Sequence, residues 1–210
     1  MKPPLPKLLL ITDRTVCPNL EQGVAGALRG GVRHLLLREK NRLSPKEHNQ
    51  RLHQWTKKLL PLTELFKAHL LISASLEVAL DFPGVGLHLP ESGIATELAR
   101  QKLGPDRLLG RSCHNLSGAL TALEQGADYL TLSPLFATQS HPKATPLGLE
   151  KFTRIRAAIP GPVLALGGID AKNLPLALQT GAHGVALIRA VLSAPSPENA
   201  SYSLLKLMNH

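Results

Sequence analysis

Short apolar runs alternate with amphipathic stretches along the whole chain. The runs are rich in Leu, Ile and Val and carry few polar residues, which is typical of strands that are buried on both faces of a parallel sheet. Eight such strands are predicted, at residues 7–13, 34–40, 68–74, 84–90, 107–114, 128–134, 162–166 and 184–188.

The segments between these runs carry helix start and stop signals. Ser44-Pro45 followed by Glu47 has the pattern of a capping box with proline in the first turn. Helices are predicted at 19–29, from 45, from 75, at 93–103, 115–126, 148–158 and 171–179, and from 196. Strict strand–helix alternation predicts an α/β fold, a single (β/α)8 TIM barrel over residues 1–210. A doubly wound open sheet is the alternative, but no GxGxxG motif follows the first strand.

Composition and charge narrow the possible classes of protein. The stretch Met1–Lys7 lacks an apolar signal core and no run is long enough to span a membrane, so we expect a cytoplasmic protein without a membrane partner. Two cysteines without a CxxC motif agree with a reducing compartment. The net charge of +9 raises the question of nucleic acid, but the basic residues are scattered and no nucleic-acid motif is present, so we expect none. The sequence leaves open a homo-oligomer.

Polar residues collect where the predicted strands end. In a barrel these ends face the active site. Glu39 and Glu91 are the only acids expected close by, so the mouth suits a phosphorylated substrate and proton transfer rather than a divalent metal. Glycines after strand seven and an arginine after strand eight suit a phosphate group. The candidate site residues are Arg38, Lys40, Ser73, His88, Ser112, His114, Thr138, Ser140, His141 and Lys143, with Gly167, Gly168, Ile188 and Arg189 for phosphate.

Several motifs come in the order and spacing of one known enzyme superfamily. They are Leu-Leu-Leu-Arg38-Glu-Lys40, Gly110-Arg-Ser-Cys-His114, Gly126-Ala-Asp-Tyr-Leu130, Pro134-Leu-Phe-Ala-Thr138, Leu166-Gly-Gly-Ile169 and Gly181-Ala-His-Gly-Val-Ala186. Over nearly its whole length the chain resembles the thiamine phosphate synthase superfamily. That resemblance implies one of two activities: a synthase that joins a pyrimidine diphosphate to a thiazole phosphate, or the TenI-type thiazole tautomerase.

The departures from the synthase pattern favour the tautomerase branch. The synthases have Gln at the position of Leu36, and they hold Mg²⁺ with two aspartates at the positions of Ala74 and Gly93. His141 stands where the synthases have a lysine, and Arg111 and Arg189 replace residues that are usually small. Without the two aspartates the diphosphate leaving group would lose electrostatic stabilisation.

The tautomerase needs no cofactor or metal, and Mg²⁺ is implied only under the synthase alternative. By the resemblance, His114 matches the proposed general base, since an imidazole exchanges a proton near neutral pH. Arg38 and Lys40 are expected to hold the substrate carboxylate, and the partner is a small phosphorylated thiazole. The leading hypothesis is therefore a metal-free thiazole tautomerase. The alternatives are a thiamine phosphate synthase and a non-catalytic barrel that binds thiazole phosphate or regulates other enzymes.

Overall fold

Eight parallel strands close into a barrel in the computed structural model, which describes residues 2–39 and 43–209. Each strand pairs with the next along the chain, and the eighth pairs back onto the first. The strands are β1 Leu8–Ile11, β2 His34–Leu37, β3 His69–Ser73, β4 Gly86–Leu89, β5 Leu109–Cys113, β6 Tyr129–Leu132, β7 Val163–Leu166 and β8 Gly184–Leu187. The predicted (β/α)8 barrel is confirmed, and the doubly wound alternative fails because a closed sheet has no edge strands.

Helices cover the outside of the barrel. They are α1 Leu20–Arg29, α2 Pro45–Leu65, α3 Leu76–Asp81, α4 Thr96–Leu103, α5 Leu116–Glu124, α6 Gly148–Ala157, α7 Leu174–Gln179, α8 Arg189–Leu192 and α9 Pro197–Met208. The capping box at Ser44 and Glu47 is confirmed, and Asn115 caps α5 by accepting the Gly118 N–H.

Two predicted helix starts are three residues early, and one helix was not predicted. Before α4, a turn is closed by the Gly93 N–H, which donates to the Pro90 carbonyl. Before α7, the Asp170 carboxylate accepts the N–H groups of Lys172 and Asn173 and holds a turn there. The helix α8 is only four residues long, which is too short to show a 3.6-residue period in the sequence.

Alternation along the strands divides the apolar side chains into two layers. In β1, Leu8 and Leu10 pack outward between barrel and helices, whereas Leu9 and Ile11 pack inside the barrel. The inner layer also includes Leu36, Leu71, Leu108, Tyr129, Leu164 and Ala186. Because side chains fill the barrel interior, a ligand must bind at its C-terminal mouth.

Two further expectations concern the membrane and the cysteines. Among residues 2–39 and 43–209, no helix has the length and apolarity that crossing a membrane requires. Cys17 and Cys113 are buried, free thiols, and burial raises the pKa of Cys113 to about 11.

The start of β8 shows how closely the strands approach. A Cβ at Gly184 would overlap the backbone carbonyl of Lys7, so we expect Gly184→Ala to lower the free energy of unfolding by about 1–3 kcal/mol in urea titrations. Gly118→Ala in α5 is the matched control, because its Cβ would make an ordinary contact and alanine favours the helix. Equal stability of the two variants would contradict this close approach.

Candidate active site

A cavity of about 960 Å³ opens at the C-terminal end of the barrel. Its lining includes residues from the ends of all eight strands. Twelve of the predicted site residues line it: Arg38, Ser73, His88, Ser112, His114, Thr138, Ser140, His141, Gly167, Gly168, Ile188 and Arg189. Lys143 does not line it and is exposed on its loop. Lys40 lies outside the described residues.

His114 follows β5 and has a defined tautomer. Its Nδ1 lies 2.6 Å from the carbonyl oxygen of Ser133. A carbonyl oxygen only accepts hydrogen bonds, so in the neutral ring Nδ1 carries the hydrogen and Nε2 keeps its lone pair. The side chain is 48% exposed, and Nε2 lies 3.7 Å from the carboxylate Oε2 of Glu91. His114 therefore offers the cavity a base, with the Glu91 carboxylate beside it.

Glu91 was not among the predicted site residues, and Arg111 holds it in place. The guanidinium of Arg111 donates 2.8 Å to the backbone carbonyl of Glu91 and 2.5 Å to that of Ile94. A side chain on β5 thus fixes the loop after β4 and sets Glu91 beside His114. The sequence places Glu91 near the mouth as an acid after the fourth strand, but it does not say that this loop meets the end of β5.

Arg38 is held at the cavity wall by a buried carboxylate. Its Nη2 donates to Oδ2 of Asp13 at 3.1 Å, and the Asp13 side chain is 3% exposed. Burial lowers the pKa of Arg38, although Asp13 opposes this shift. Within the described residues, the buried Nε of Arg38 has no hydrogen-bond partner. An anionic group on a ligand would satisfy that donor.

The expectation that Glu39 and Glu91 are the only acids near the mouth is wrong. Asp13 follows β1 and is buried against Arg38. Glu39 is itself buried and accepts two hydrogen bonds of 2.8 Å from Arg14. It is therefore a structural ion-pair partner.

The loop after β7 needs its two glycines for structural reasons as well. Gly167 and Gly168 have φ values of +109° and +64°, a region that disfavours side chains. A Cβ at Gly168 would run into the Ala137 carbonyl, and one at Gly167 into Pro134. Both glycines therefore let this loop pack against the loop after β6 while they line the cavity.

His88 sits deeper than His114 and has a different character. Its Nδ1 lies 3.0 Å from the Tyr129 hydroxyl, and its Nε2 lies 3.0 Å from the Ser112 hydroxyl. Burial, aided by the positive charge of Arg111, lowers the pKa of His88 to about 3. His88 is therefore neutral at pH 7 and cannot act there as a proton carrier.

The cavity residues do not fit a magnesium ion. Across residues 2–39 and 43–209, no group of three or more His, Cys, Asp or Glu side chains is arranged to hold a metal. Ala74 and Gly93, at the two positions where the resemblance to the synthases implies aspartates, carry no side-chain oxygen. Ala74 keeps a left-handed backbone with φ +69°, a conformation in which Asn and Asp are enriched.

Comparison with known proteins places these features in context. The family model described as thiamine monophosphate synthase matches residues 8–191. A putative thiamine-phosphate synthase of Geobacter sulfurreducens is 40% identical and covers 96% of this chain and 93% of its own. A thiamine-phosphate synthase of a Synechococcus species is 38% identical over 96% of this chain, which spans 57% of that relative. Thiamine phosphate pyrophosphorylase from Pyrococcus furiosus has a TM-score of 0.85 and 32% identity, covering 97% of this chain and 95% of the other.

The burial of His88 makes stability depend on pH. Its pKa is about 3 in the folded protein against 6.5 for the exposed group, so the unfolded state binds more protons and the free energy of unfolding falls as pH drops below 6.5. We expect His88 to account for a loss of about 2 kcal/mol at pH 5 relative to pH 8 in urea titrations.

The variant His88→Gln isolates this contribution. Its amide keeps hydrogen-bonding capacity but does not titrate, so its stability should depend less steeply on pH. Buried His34, whose pKa is lowered to about 4, contributes equally to both proteins and cancels. Identical slopes would contradict the assignment to His88.

Proposed function

This chain belongs to the thiamine monophosphate synthase family, and on that premise we propose that it acts on a phosphorylated thiazole in thiamine biosynthesis. The reaction that we propose is thiazole tautomerisation, a proton transfer that converts a carboxylated thiazole phosphate into its aromatic isomer. One observation carries the choice: the cavity offers a histidine base with an open Nε2, and the described residues contain no group of three or more His, Cys, Asp or Glu side chains that could hold Mg²⁺.

The substrate's two anionic groups have separate partners in this proposal. The phosphate lies against Gly167, Gly168, Ile188 and Arg189, where backbone without side chains meets a guanidinium. These residues line one side of the cavity, at the ends of β7 and β8. Phosphate in TIM barrels is often bound there.

The carboxylate binds Arg38, whose buried Nε lacks a partner among the described residues. Lys40, two residues further along the chain, is proposed to bind the same carboxylate. Ser73 and the loop residues Thr138, Ser140 and His141 are further proposed substrate contacts, since they line the same cavity.

The proton moves through His114. Its Nε2 takes a proton from one carbon of the ring system, and the electron pair shifts through the conjugated bonds toward another carbon. That carbon takes up the proton that the imidazolium returns, so one C–H bond breaks, another forms, and nothing is oxidised. Glu91, at 3.7 Å, stabilises the imidazolium between the two steps.

A thiamine phosphate synthase is the second candidate. The names of the relatives at 40% and 38% identity agree with this reaction rather than with the tautomerase. A cavity of about 960 Å³ also has room for more than one thiazole phosphate. Against it stand Ala74 and Gly93, because departure of a diphosphate needs charge neutralisation that no magnesium site here would supply.

One pair of assays separates the candidates. The protein is given the carboxylated thiazole phosphate tautomer, and separately the pyrimidine diphosphate, thiazole phosphate and Mg²⁺. We expect proton transfer that EDTA does not inhibit and that His114→Ala slows by about 10²–10⁴-fold, the usual contribution of a general acid–base group. The control is His53→Ala, since His53 lies outside the cavity, beside Asp81.

Other outcomes would reassign the function. Magnesium-dependent formation of thiamine phosphate would overturn the tautomerase in favour of the synthase. If neither reaction occurred and thiazole phosphate only raised the melting temperature, the non-catalytic binding barrel would replace both.

The phosphate assignment predicts the effect of removing Arg189. We expect Arg189→Ala to weaken binding of thiazole phosphate in calorimetry by about 1.5–3 kcal/mol, the range for a charge-assisted hydrogen bond. Arg154→Ala is the control, because Arg154 is exposed and pairs with Glu150 on α6. Unchanged affinity in Arg189→Ala would place that guanidinium away from the phosphate.

A further inference from the structure

A buried chain of four hydrogen-bonded side chains ends at the cavity wall. It consists of Tyr129, His88, Ser112 and Thr131, and is called the buried chain below. The Tyr129 hydroxyl and the Ser112 hydroxyl each lie 3.0 Å from one ring nitrogen of His88, and the Thr131 hydroxyl lies 3.3 Å from that of Ser112. Of the four, His88 and Ser112 line the cavity, whereas Tyr129 and Thr131 do not.

Strand register builds this chain. His88 on β4 is aligned with Gly110 on β5, and Gly110 is aligned with Tyr129 on β6. A Cβ at Gly110 would collide with both rings, so the glycine leaves the gap across which Tyr129 reaches His88. In the next row, Ser112 is aligned with Thr131.

The direction of the first hydrogen bonds follows from burial. The Tyr129 side chain is fully buried, and His88 is its hydrogen-bond partner, with no other within the described chain. Its hydroxyl hydrogen must therefore go to Nδ1 of His88, since a buried donor without an acceptor is unfavourable. His88 is neutral, so its single hydrogen is on Nε2 and is donated to Ser112 Oγ.

Thr131 supplies a second hydrogen bond to Ser112. It is also fully buried, and its hydroxyl donates to Ser112 Oγ. The Ser112 oxygen then accepts two hydrogen bonds, which uses both of its lone pairs. Because His88 and Thr131 both donate to Ser112, neither accepts the hydroxyl hydrogen of Ser112. That hydrogen is therefore directed to the cavity.

We infer that Ser112 presents only a hydrogen-bond donor to the cavity, and that Tyr129, His88 and Thr131 are positioning residues that impose this polarity. The ligand part opposite Ser112 must then be an acceptor, such as a neutral ring nitrogen or a carboxylate oxygen, and an N–H or O–H group there is rejected. A serine without such neighbours would accept or donate at similar cost. The identity of the ligand as a thiazole phosphate rests on the proposed function, whereas the polarity of Ser112 does not.

Ser112 faces the organic part of the ligand rather than its phosphate. It lies two residues before His114 on β5, whereas the proposed phosphate residues follow β7 and β8. The acceptor that it selects therefore belongs to the ring or its carboxylate, close to the proton-transfer base.

The tautomer of His88 is a direct test that needs no activity. Nitrogen-15 NMR of the unaltered protein should show a protonated Nε2 and an unprotonated Nδ1. In Tyr129→Phe, which removes the donor to Nδ1, the ring should populate the other tautomer as well. An Nδ1–H signal in the unaltered protein would overturn the inference and leave the proposed reaction untouched.

Ligand affinity tests the consequence for binding. With thiazole phosphate in calorimetry, Ser112→Ala should raise Kd about tenfold, the order expected for one lost donor. Tyr129→Phe and Thr131→Val should each raise Kd by about threefold or more, because each removes a hydrogen bond that orients the Ser112 hydroxyl. Neither of the two side chains lines the cavity. Tyr202→Phe is the control, because Tyr202 is 64% exposed, and its Kd should not change.

Two results would contradict the inference. If Tyr129→Phe lowered only the melting temperature and left Kd and the His88 tautomer unchanged, the buried chain would be purely structural. If Ser112→Ala weakened binding of inorganic phosphate as much as that of thiazole phosphate, the donor would face the phosphate.

Discussion

Closure of the parallel sheet is the constraint on which the site depends. Because all eight strands run the same way, their carboxyl ends meet at one end of the barrel. Alternation sends every second side chain inward, and the layer with Leu9, Ile11 and Leu36 fills the interior. Polar residues beyond that layer cannot enter the core and surround a cavity instead. Residues as far apart in sequence as Arg38 and Arg189 thus line the same space.

Burial separates two of the histidines that line this cavity, His88 and His114. His88 is held neutral between two hydroxyl groups, whereas His114 is half exposed and keeps one nitrogen open. Arg111 affects both, since its charge disfavours protonation of His88 while its hydrogen bonds hold the loop of Glu91. One guanidinium on β5 therefore acts on the surroundings of both histidines.

Local patterns were sufficient to predict the strands, most helices and the cavity's location. Apolar runs, caps and the rule for strand ends each depend on neighbouring residues or on the fold class alone. The pairs Asp13–Arg38, Glu91–Arg111 and His88–Tyr129 were not predictable in this way. Each joins residues 20 or more positions apart, and only the register of the closed barrel brings them together. The exposed position of Lys143 likewise depends on its loop's path.

Ala74 adopts a backbone conformation that its own side chain disfavours. A left-handed conformation at φ +69° is unfavourable for alanine by roughly 1–2 kcal/mol, yet the loop after β3 retains it. Because Asn and Asp adopt this conformation more readily than Ala, the shape of the loop is imposed by its surroundings rather than by the residue at position 74. The residue at position 74 could therefore change its chemistry without a change in the path of the loop that carries it.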